Sequence, residues 1–393
     1  MIEPVIDPKD LETWARWLLE HSIGGVAPGD RVMIKGERIC WPLMEVLERG
    51  VIAAGGVPDV LLVPPNNDRG RVWSAAVARG GSKEQIDAVP EWHLARYQAM
   101  TKYIEVLGAE DPARYTGLAP AQSQALMAAD KPYMALRLSK PWVITLFPTP
   151  GFAAMEGLPL EEYARFLVRA STEDPRPLLV AEEKIAPLFE SAKRMTIESY
   201  CPRDRRDLVL TLDLEHSRPE KSYGLRNFPD GEVFTSPDAR SVEGELYLDL
   251  PVMYAGHDIE GIYLQFRGGK IVAYHAERGH DFLATIIETD EGSHRLGEVA
   301  LGMNAGLERV LKHPLLVEKV GGTLHVAIGA SYEGCYVGAE DPKVVETLAA
   351  QGVINRSAQH VDIVCDFRPG GCGRRVLFDN REVVVRDGVW VPA

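Results

Sequence analysis

The first half of the chain alternates short apolar runs with longer segments of helical periodicity. Residues 31–36, 57–65 and 140–150 have the length and apolar character of buried strands, whereas 41–56 and 158–171 repeat apolar positions with a helical period. This alternation is typical of parallel strands joined by crossover helices. The sequence therefore predicts an α/β fold that begins with an N-terminal open α/β domain.

Two further helices are predicted in this half. Asp7 is expected to be the N-cap and Pro8 the first residue of an amphipathic N-terminal helix. The apolar stripe of this helix comprises Leu11, Trp14, Leu18 and Leu19. The segment 91–108 is predicted to form one continuous helix.

The second half has a different pattern, in which alternating strands are separated by glycine turns. The turns RGGK at 267–270 and RDGV at 386–389 predict β-hairpins. Residues 293–312 predict the main helical interruption of this strand-rich region.

A charged, proline-bearing break at 200–207 follows a helix-like segment at 181–197. We place the domain boundary there, because such breaks separate compact domains. The prediction is an N-terminal α/β domain of residues 1–205 and a C-terminal domain of residues 206–393. The C-terminal domain is expected to be an α+β domain rich in β-strands.

The chain has 393 residues, with 57 acidic and 43 basic side chains and a formal net charge of −14. Because no basic tract relieves this charge, a nucleic-acid or anionic-membrane surface is not expected. No apolar run approaches the roughly 20 residues that a membrane helix needs, and the charged N-terminus is unlike a secretory signal. We expect a cytoplasmic enzyme that acts on a small substrate.

The five cysteines form no Cys-x-x-Cys pair, and their odd number indicates a reducing compartment. Cys365 and Cys372 flank a Pro-Gly-Gly turn. These two thiols could pair or bind a soft metal, or they could be small buried residues, which is the more common case.

The last part of the chain contains a set of side chains that suit divalent metals. The candidates are Glu232, Glu298, Glu318, His325, His360 and Asp362, with Tyr332 among them. Two imidazoles with several carboxylates suit two hard-to-borderline cations, since carboxylates bridge ions and offset their mutual repulsion. The set predicts a dinuclear metal hydrolase.

The strand pattern supports the two histidines and Asp362 as ligands. In HVDIV, a period of two puts His360 and Asp362 on one face and turns Val361 and Ile363 to the other. His325 lies in the apolar run TLHVAIG, where an unpartnered imidazole carries a desolvation cost. A structural, hydrogen-bonded histidine is the alternative.

The remaining candidates have competing interpretations. Glu298 lies in LGEVALG, a run that reads as apolar and helix-like, where an acid either binds a partner or caps the helix N-terminus. Glu232, in a turn-dense segment, and Glu318, in LVEKVGG, are each readable as exposed charged residues. Tyr332 offers a phenol to an oxyanion, although a packed core tyrosine is more common.

Four ordered motifs carry a resemblance to a known family. They are NFPDGEVFTSPD around Glu232, RLGEVALGMN around Glu298, VEKVGGTLHVAIGASY around Glu318, His325 and Tyr332, and NRSAQHVDIV around His360 and Asp362. With these motifs the chain resembles, over most of its length, the dinuclear metallo-aminopeptidases related to thermophilic aminopeptidase T.

The resemblance implies a homodimer of two-domain subunits, with two divalent ions, usually zinc, cobalt or manganese, in the C-terminal domain. It assigns as metal ligands Glu232, Glu298, His325, His360 and Asp362. It places Glu318 and Tyr332 in the metal site as an additional ligand, an acid/base group or an oxyanion partner, and we predict both to be catalytic. The implied function is a metal-dependent aminopeptidase that hydrolyses the N-terminal residue of peptides or a related amide.

Two features depart from the family pattern. Val317 stands where Asp is common before the site glutamate, and Lys319 follows that glutamate. An acidic stretch at 332–355 is also not expected in every member. These departures leave the substrate preference open.

The strongest rival interpretation is a mononuclear iron(II) enzyme, because His325, His360 and Asp362 alone form a two-histidine, one-carboxylate set. A ring-cleaving dihydroxypyridine dioxygenase resembles the same family. Glu232 and Glu298 favour two metals and hydrolysis, since a mononuclear iron site does not require them. A relative that acts on a non-peptide amide and a binding protein without peptidase activity also fit the resemblance.

Overall fold

The computed structural model of the chain describes residues 6–63, 80–110, 120–254 and 257–393. It divides into two compact units, the first formed by Met1–Pro175 and Gly224–Pro229, and the second by Arg176–Tyr223 and Asp230–Ala393. Within the described residues, no helix is both long enough and apolar enough to cross a membrane.

The architecture is a mixed α/β one, as predicted. In the described ranges the strands are β1 (Arg31–Glu37), β2 (Val57–Val63), β3 (Lys102–Leu107), β4 (Trp142–Leu146), β5 (Arg194–Cys201), β6 (Arg206–Asp213), β7 (Glu220–Ser222), β8 (Asn227–Phe228), β9 (Glu232–Thr235), β10 (Glu243–Leu248), β11 (Val252–Tyr254), β12 (His257–Arg267), β13 (Lys270–Arg278), β14 (Leu296–Gly302), β15 (Thr323–Gly329), β16 (His360–Asp366), β17 (Gly373–Phe378), β18 (Arg381–Arg386) and β19 (Val389–Pro392). The α-helices there are α1 (Pro8–Arg16), α2 (Trp41–Ala53), α3 (Lys83–Asp87), α4 (Glu91–Ala99), α5 (Pro120–Leu138), α6 (Pro150–Met155), α7 (Leu160–Thr172), α8 (Arg176–Ser191), α9 (His280–Ile287), α10 (Pro314–Val317) and α11 (Pro342–Ala350).

The first unit is built on a parallel sheet with the strand order β2-β1-β3-β4-β8. The predicted strands at 31–36 and 57–65 are observed as β1 and β2, and residues 64 and 65 lie outside the described part. The side chain of Asp7 accepts the backbone N–H of Lys9 at the start of α1, as predicted for an N-cap. The predicted apolar stripe of the N-terminal helix is buried.

One prediction in this unit is wrong: residues 91–108 do not form a continuous helix. Helix α4 ends at Ala99, and Lys102–Leu107 is the central strand β3, paired in parallel with β1 and β4. A strand that is covered on both faces shows no alternation of apolar and polar residues. The segment KYIEVL therefore has no strand pattern of its own, and its apolar positions continue the helical periodicity of residues 91–99.

The second unit contains two antiparallel sheets. The larger has the strand order β11-β12-β10-β6-β5-β17-β18-β19, with β13 paired to β12. The predicted hairpins at RGGK and RDGV join β12 to β13 and β18 to β19. The predicted domain boundary between 205 and 206 falls inside this unit, since β5 pairs with β6 and β17 in one sheet.

A second prediction is wrong, namely the helical interruption at 293–312. Residues Leu296–Gly302 form strand β14, which lies between β9 and β15, and all seven of its residues are buried. Complete burial removes the alternation that identifies a strand in a sequence. Glu298 therefore lies on a strand, and the predicted cap of a helix is not observed.

The smaller sheet of the second unit, β16-β15-β14-β9-β7, presents two chemically different faces. One face is apolar and belongs to the main core of this unit. Its core residues are Val299, Leu301, Leu324, Val326, Ile328, Val361 and Ile363. The opposite face carries acidic and imidazole side chains, because residues on a strand alternate between the two sides.

Candidate metal centre

The polar face of the smaller sheet brings together the predicted ligands of three neighbouring strands. Glu298 on β14 lies opposite Ala327 on β15, which lies opposite Asp362 on β16. His325 precedes Ala327 by two residues and shares its face, as His360 does with Asp362. Ala327 thus lies between Glu298 and Asp362 across the three strands.

Glu298 is the central carboxylate of this face. Its Oε1 lies 3.2 Å from Nε2 of His325, and its Oε2 lies 3.1 Å from Nε2 of His360. The residue is almost completely buried. Each oxygen of one carboxylate therefore faces a different imidazole, so Glu298 could share a metal ion with either histidine.

The ring of His360 is held in a defined orientation. Its Nδ1 donates a hydrogen bond of 2.7 Å to the carbonyl oxygen of Ala330, so Nε2 is the nitrogen that a metal ion would bind once its proton is displaced. Nε2 also lies 3.5 Å from Oδ1 of Asp362. The same Oδ1 lies 3.9 Å from Nε2 of His325. The two histidines and Asp362 thus converge on one volume.

Glu232 begins β9, opposite Gly302 of β14, and is buried. Its Oε1 accepts a hydrogen bond from the ammonium of Lys319. Its Oε2 lies 3.4 Å from Nε2 of His325 and has no hydrogen-bond partner among the described residues. A buried carboxylate oxygen without such a partner carries a large desolvation cost, which a bound cation relieves.

Lys319 is a cation buried within the acidic cluster. Its Nζ lies 2.8 Å from Oε1 of Glu318 and 3.8 Å from Oδ1 of Asp230, in addition to its contact with Glu232. Glu318 follows α10 and is itself buried. One ammonium is therefore shared by three carboxylates, and it offsets only part of their charge.

Tyr332 lies at the open side of the site and is 49% exposed, so it is not a packed core tyrosine. Its ring centroid is 4.8 Å from that of His360 and 5.6 Å from that of Phe234. Partial loss of water around the phenol, together with the charges of Glu298 and Asp362, raises its pKa. The phenol therefore keeps its proton at neutral pH and can donate a hydrogen bond.

The pKa shifts show how strongly the site favours positive charge. Burial alone lowers the pKa of an imidazole, yet hydrogen bonding to Glu298 and the charges of Glu232 and Asp362 raise the pKa of His325 to about 9. Burial is likewise outweighed at His360, where Asp362 and Glu298 raise the pKa to about 12. Protonated imidazoles thus act as counter-ions in the metal-free protein.

For two buried acids, burial itself decides the direction of the pKa shift. Burial raises the pKa of Glu318, although the adjacent Lys319 opposes this shift. Burial, followed by the charges of Asp230 and Glu232, raises the pKa of Glu182 on α8 to about 10. Glu182 is therefore neutral at physiological pH and adds no further negative charge beside the site.

Three groups of residues in this centre could each hold a metal ion, because the ligand atoms within each group all lie within 4.8 Å of one another. The groups are Glu232, Glu298 and His325; Glu298, His360 and Asp362; and Glu318, His325 and Asp362. The donors are carboxylate oxygens and imidazole nitrogens, which suit zinc, cobalt or manganese. Glu298, His325 and Asp362 each belong to two of the groups, and the combined set of two imidazoles and four carboxylates has enough donors for a pair of divalent ions.

The structure brings all seven predicted site residues into one region. Sequence reasoning did not identify Asp230 as a site residue and noted Lys319 only as a departure from the family pattern. The motifs FPDGE and VEKVGG contain both, next to Glu232 and Glu318. The burial of these charged residues next to one another cannot be recognised from either motif.

The fold and the site define a metal-dependent hydrolase with a two-unit α/β architecture. The profile of the family described as thermophilic metalloprotease (M29) matches residues 7–390. The chain therefore belongs to this metalloprotease family, which confirms the family and the enzyme class predicted from the sequence.

Two aminopeptidases are similar to this chain in sequence. Aminopeptidase T of Thermus thermophilus is 32% identical over 346 residues, which cover 79% of this chain and 82% of that protein. Aminopeptidase AmpS of Bacillus subtilis is 34% identical over 169 residues, or 42% of this chain. The AmpS match spans only 40% of that protein's length.

Two solved structures share the fold. Wild-type AmpT from Thermus thermophilus superposes with a TM-score of 0.75 at 22% identity and covers 98% of this chain and 97% of its own. The 2,5-dihydroxypyridine dioxygenase from Pseudomonas putida KT2440 gives a TM-score of 0.55 at 13% identity, with 98% of each chain covered. At these identities the likeness concerns the fold alone.

Proposed function

We propose that the protein is an aminopeptidase that uses two divalent metal ions to hydrolyse the N-terminal residue of peptides. The observation that carries the proposal is Glu298, whose two oxygens face His325 and His360 at 3.2 and 3.1 Å. Glu232 and His325 complete one ligand set, and His360 and Asp362 complete the other. Zinc, cobalt and manganese are the ions that these donors suit.

When bound, such ions polarise the scissile carbonyl and make water more acidic. The remaining chemistry belongs to the side chains. Bound cations would oppose the burial that raises the pKa of Glu318, so that its carboxylate can accept the proton of the attacking water and deliver it to the leaving amine, a general acid–base role. Its contact with Lys319, 2.8 Å away, keeps the carboxylate directed into the site.

The open side of the centre determines where a peptide enters. The side chains of His360 and Asp362 are 20% and 19% exposed, whereas those of Glu232, Glu318 and Lys319 are at most 9% exposed. Substrate therefore approaches from the side of Tyr332. The Tyr332 phenol is placed to donate a hydrogen bond to the oxyanion of the tetrahedral intermediate.

We extend the proposal to the assembly and location of the protein. The family resemblance described above implies a homodimer. The five free cysteines favour the cytoplasm. Light scattering coupled to gel filtration tests the dimer directly. A monomeric mass would remove the dimer from the proposal without affecting the metal centre.

The activity is tested with matched substrates. Chelator-treated protein is reconstituted with Mn²⁺ and given a panel of aminoacyl amides together with the N-acetylated form of each. We expect release of the N-terminal residue from the free amines only, because an aminopeptidase requires the free amine. Equal cleavage of the acetylated amides would contradict aminopeptidase action.

A second experiment separates the iron alternative, by measuring the metal content of the protein as purified and its oxygen consumption. His325, His360 and Asp362 do converge, but Glu232 and Glu298 lie among them, and a mononuclear iron site does not require those carboxylates. One iron per subunit with oxygen consumption on a dihydroxypyridine would overturn the proposal. Hydrolysis limited to non-peptide amides would keep the reaction class and change the substrate.

A further inference from the structure

A second group of potential metal ligands lies outside the candidate centre, at the other end of β16. Cys365 is near the end of this strand, and Cys372 directly precedes β17. Their Sγ atoms are 3.3 Å apart, and both residues are buried as free thiols. None of the proposed catalytic steps uses them.

The carboxylate of Asp249 completes this group. It follows β10 and accepts the backbone N–H of Asp366 at 2.8 Å and that of Cys372 at 2.9 Å. One carboxylate oxygen and the two sulfurs all lie within 4.8 Å of one another. The thiol of Cys372 donates a hydrogen bond of 3.4 Å to the carbonyl oxygen of Tyr247, so this oxygen also lies beside the group.

The sulfur separation distinguishes two uses of the thiols. A disulfide requires about 2.05 Å between the sulfurs, whereas two sulfurs on one tetrahedral zinc ion, with bonds of about 2.3 Å, lie roughly 3.8 Å apart. The observed 3.3 Å is closer to the second value. A small rotation of either side chain reaches it.

The surroundings of the thiols also favour a cation over oxidation. Both cysteines are buried, and a carboxylate oxygen of Asp249 lies within 4.8 Å of the two sulfurs. Readily oxidised cysteines have the opposite surroundings, which are electropositive and partly exposed. A divalent ion would neutralise the thiolates and Asp249 together.

We propose that Cys365, Cys372 and Asp249 bind one thiophilic divalent cation, such as Zn²⁺, in a site separate from the catalytic centre. Binding forms two metal–sulfur bonds and releases the two thiol protons to water. The ion connects the end of β10, strand β16 and the start of β17. Since β16 also carries His360 and Asp362, this site stabilises the strand that holds two of the proposed catalytic ligands.

The test uses Co²⁺ on the full-length, reduced protein after chelator treatment. Only thiolate ligands give an intense near-ultraviolet charge-transfer band with Co²⁺, and the catalytic centre offers oxygen and nitrogen donors alone. We expect the amplitude of this band at saturation to correspond to one thiolate-bound ion per subunit, and we expect the band to disappear in Cys365→Ser and Cys372→Ser. Cys201→Ser removes a buried thiol elsewhere and should retain the band.

Asp249→Asn provides a variant that keeps both sulfurs. We expect it to retain the band and to bind Co²⁺ about tenfold more weakly or worse, because the ligand charge is lost. A wild-type protein that gives no band while its thiols are shown to be reduced would overturn the proposal. So would an intact mass two daltons lower, from a Cys365–Cys372 disulfide in the purified protein, or unchanged affinity in Asp249→Asn.

Discussion

Buried charges occur in both units of this protein, and they differ in how completely they are compensated. In the first unit, Lys35 on β1 lies opposite Glu105 on β3 with 2.5 Å between Nζ and Oε1. The other oxygen of Glu105 accepts hydrogen bonds from Tyr103, at 2.8 Å, and Arg137, at 3.5 Å. Burial opposes ionisation of Glu105, but the two cations hold its pKa below the usual value.

The second unit buries the same types of side chain with a surplus of negative charge. Lys319 is shared among Glu232, Glu318 and Asp230. Among the described residues, the cationic partners of Glu298 and Asp362 are imidazoles, and Glu318 places a further acid beside Asp362. Buried acids with a complete set of partners stabilise a fold, whereas buried acids that lack counter-charge form a site for cations.

Replacing Glu298, the central carboxylate of the second unit, should have the largest effect on turnover and metal binding. Glu298→Gln loses the charge that faces both histidines. We expect turnover to fall on the order of 10³–10⁴-fold, because several kcal/mol of transition-state stabilisation are lost. Mn²⁺ titration should show fewer ions bound. Glu105→Gln is the control and should lower the stability while leaving the Mn²⁺ count unchanged; a full count and normal turnover in Glu298→Gln would contradict the bridging role.

Glu318 should matter for the reaction more than for metal binding. Glu318→Gln removes the proposed proton carrier, and we expect turnover to fall roughly 10²–10³-fold with the Mn²⁺ content retained. Steady-state kinetics and metal analysis on the same sample measure both quantities. Glu333→Gln, at an exposed position, should have no effect. Near-normal turnover of Glu318→Gln would eliminate this role.

The two buried lysines provide a matched pair of variants. Lys35→Met leaves Glu105 without its closest cation, so we expect a loss of about 3–5 kcal/mol in the free energy of unfolding that added Mn²⁺ does not restore. Lys319→Met should destabilise the metal-free protein, and Mn²⁺ should largely restore its stability. Thermal denaturation with and without Mn²⁺ measures both, and the same response in the two variants would remove the distinction between the units.

The pH dependence of metal binding should follow from the two histidines. Their folded-state pKa values, about 9 for His325 and about 12 for His360, lie above the ordinary value of about 6.5. The stabilisation from the protonated imidazoles is complete below pH about 6.5 and is lost as the pH rises through 9 and then 12.

Metal ions must displace these protons. We therefore expect Mn²⁺ affinity to increase with pH, about tenfold per pH unit for each proton released. Calorimetric titrations in buffers of different ionisation enthalpy count the protons. Affinity that is constant between pH 6 and 8, with no proton release, would mean that neutral histidines already face the site.

The sequence predicted the fold best where a local signal exists. Asp7 and Pro8 marked the start of α1, and glycine turns marked the two hairpins, because capping and turn conformations restrict residue choice. Strands β3 and β14 were missed because their burial on both faces removes the alternating pattern.

The site shows the same division between local and long-range information. His360 and Asp362 were recognisable from the strand period alone, and the structure places them on one face. Glu232 and Glu318 had no local signal, and only the family motifs identified them. The burial of Lys319 arises from contacts with Glu232, 87 residues away, which no local pattern can show.

The central claim is that the carboxylates and imidazoles around Glu298 would hold two divalent ions, and Mn²⁺ tests it most directly. Thiolates bind this hard ion poorly, so it reports the catalytic centre without the proposed cysteine site. Electron paramagnetic resonance of protein titrated with Mn²⁺ should show two ions per subunit with a spin-coupled spectrum. A single uncoupled Mn²⁺ per subunit at saturation would contradict the account.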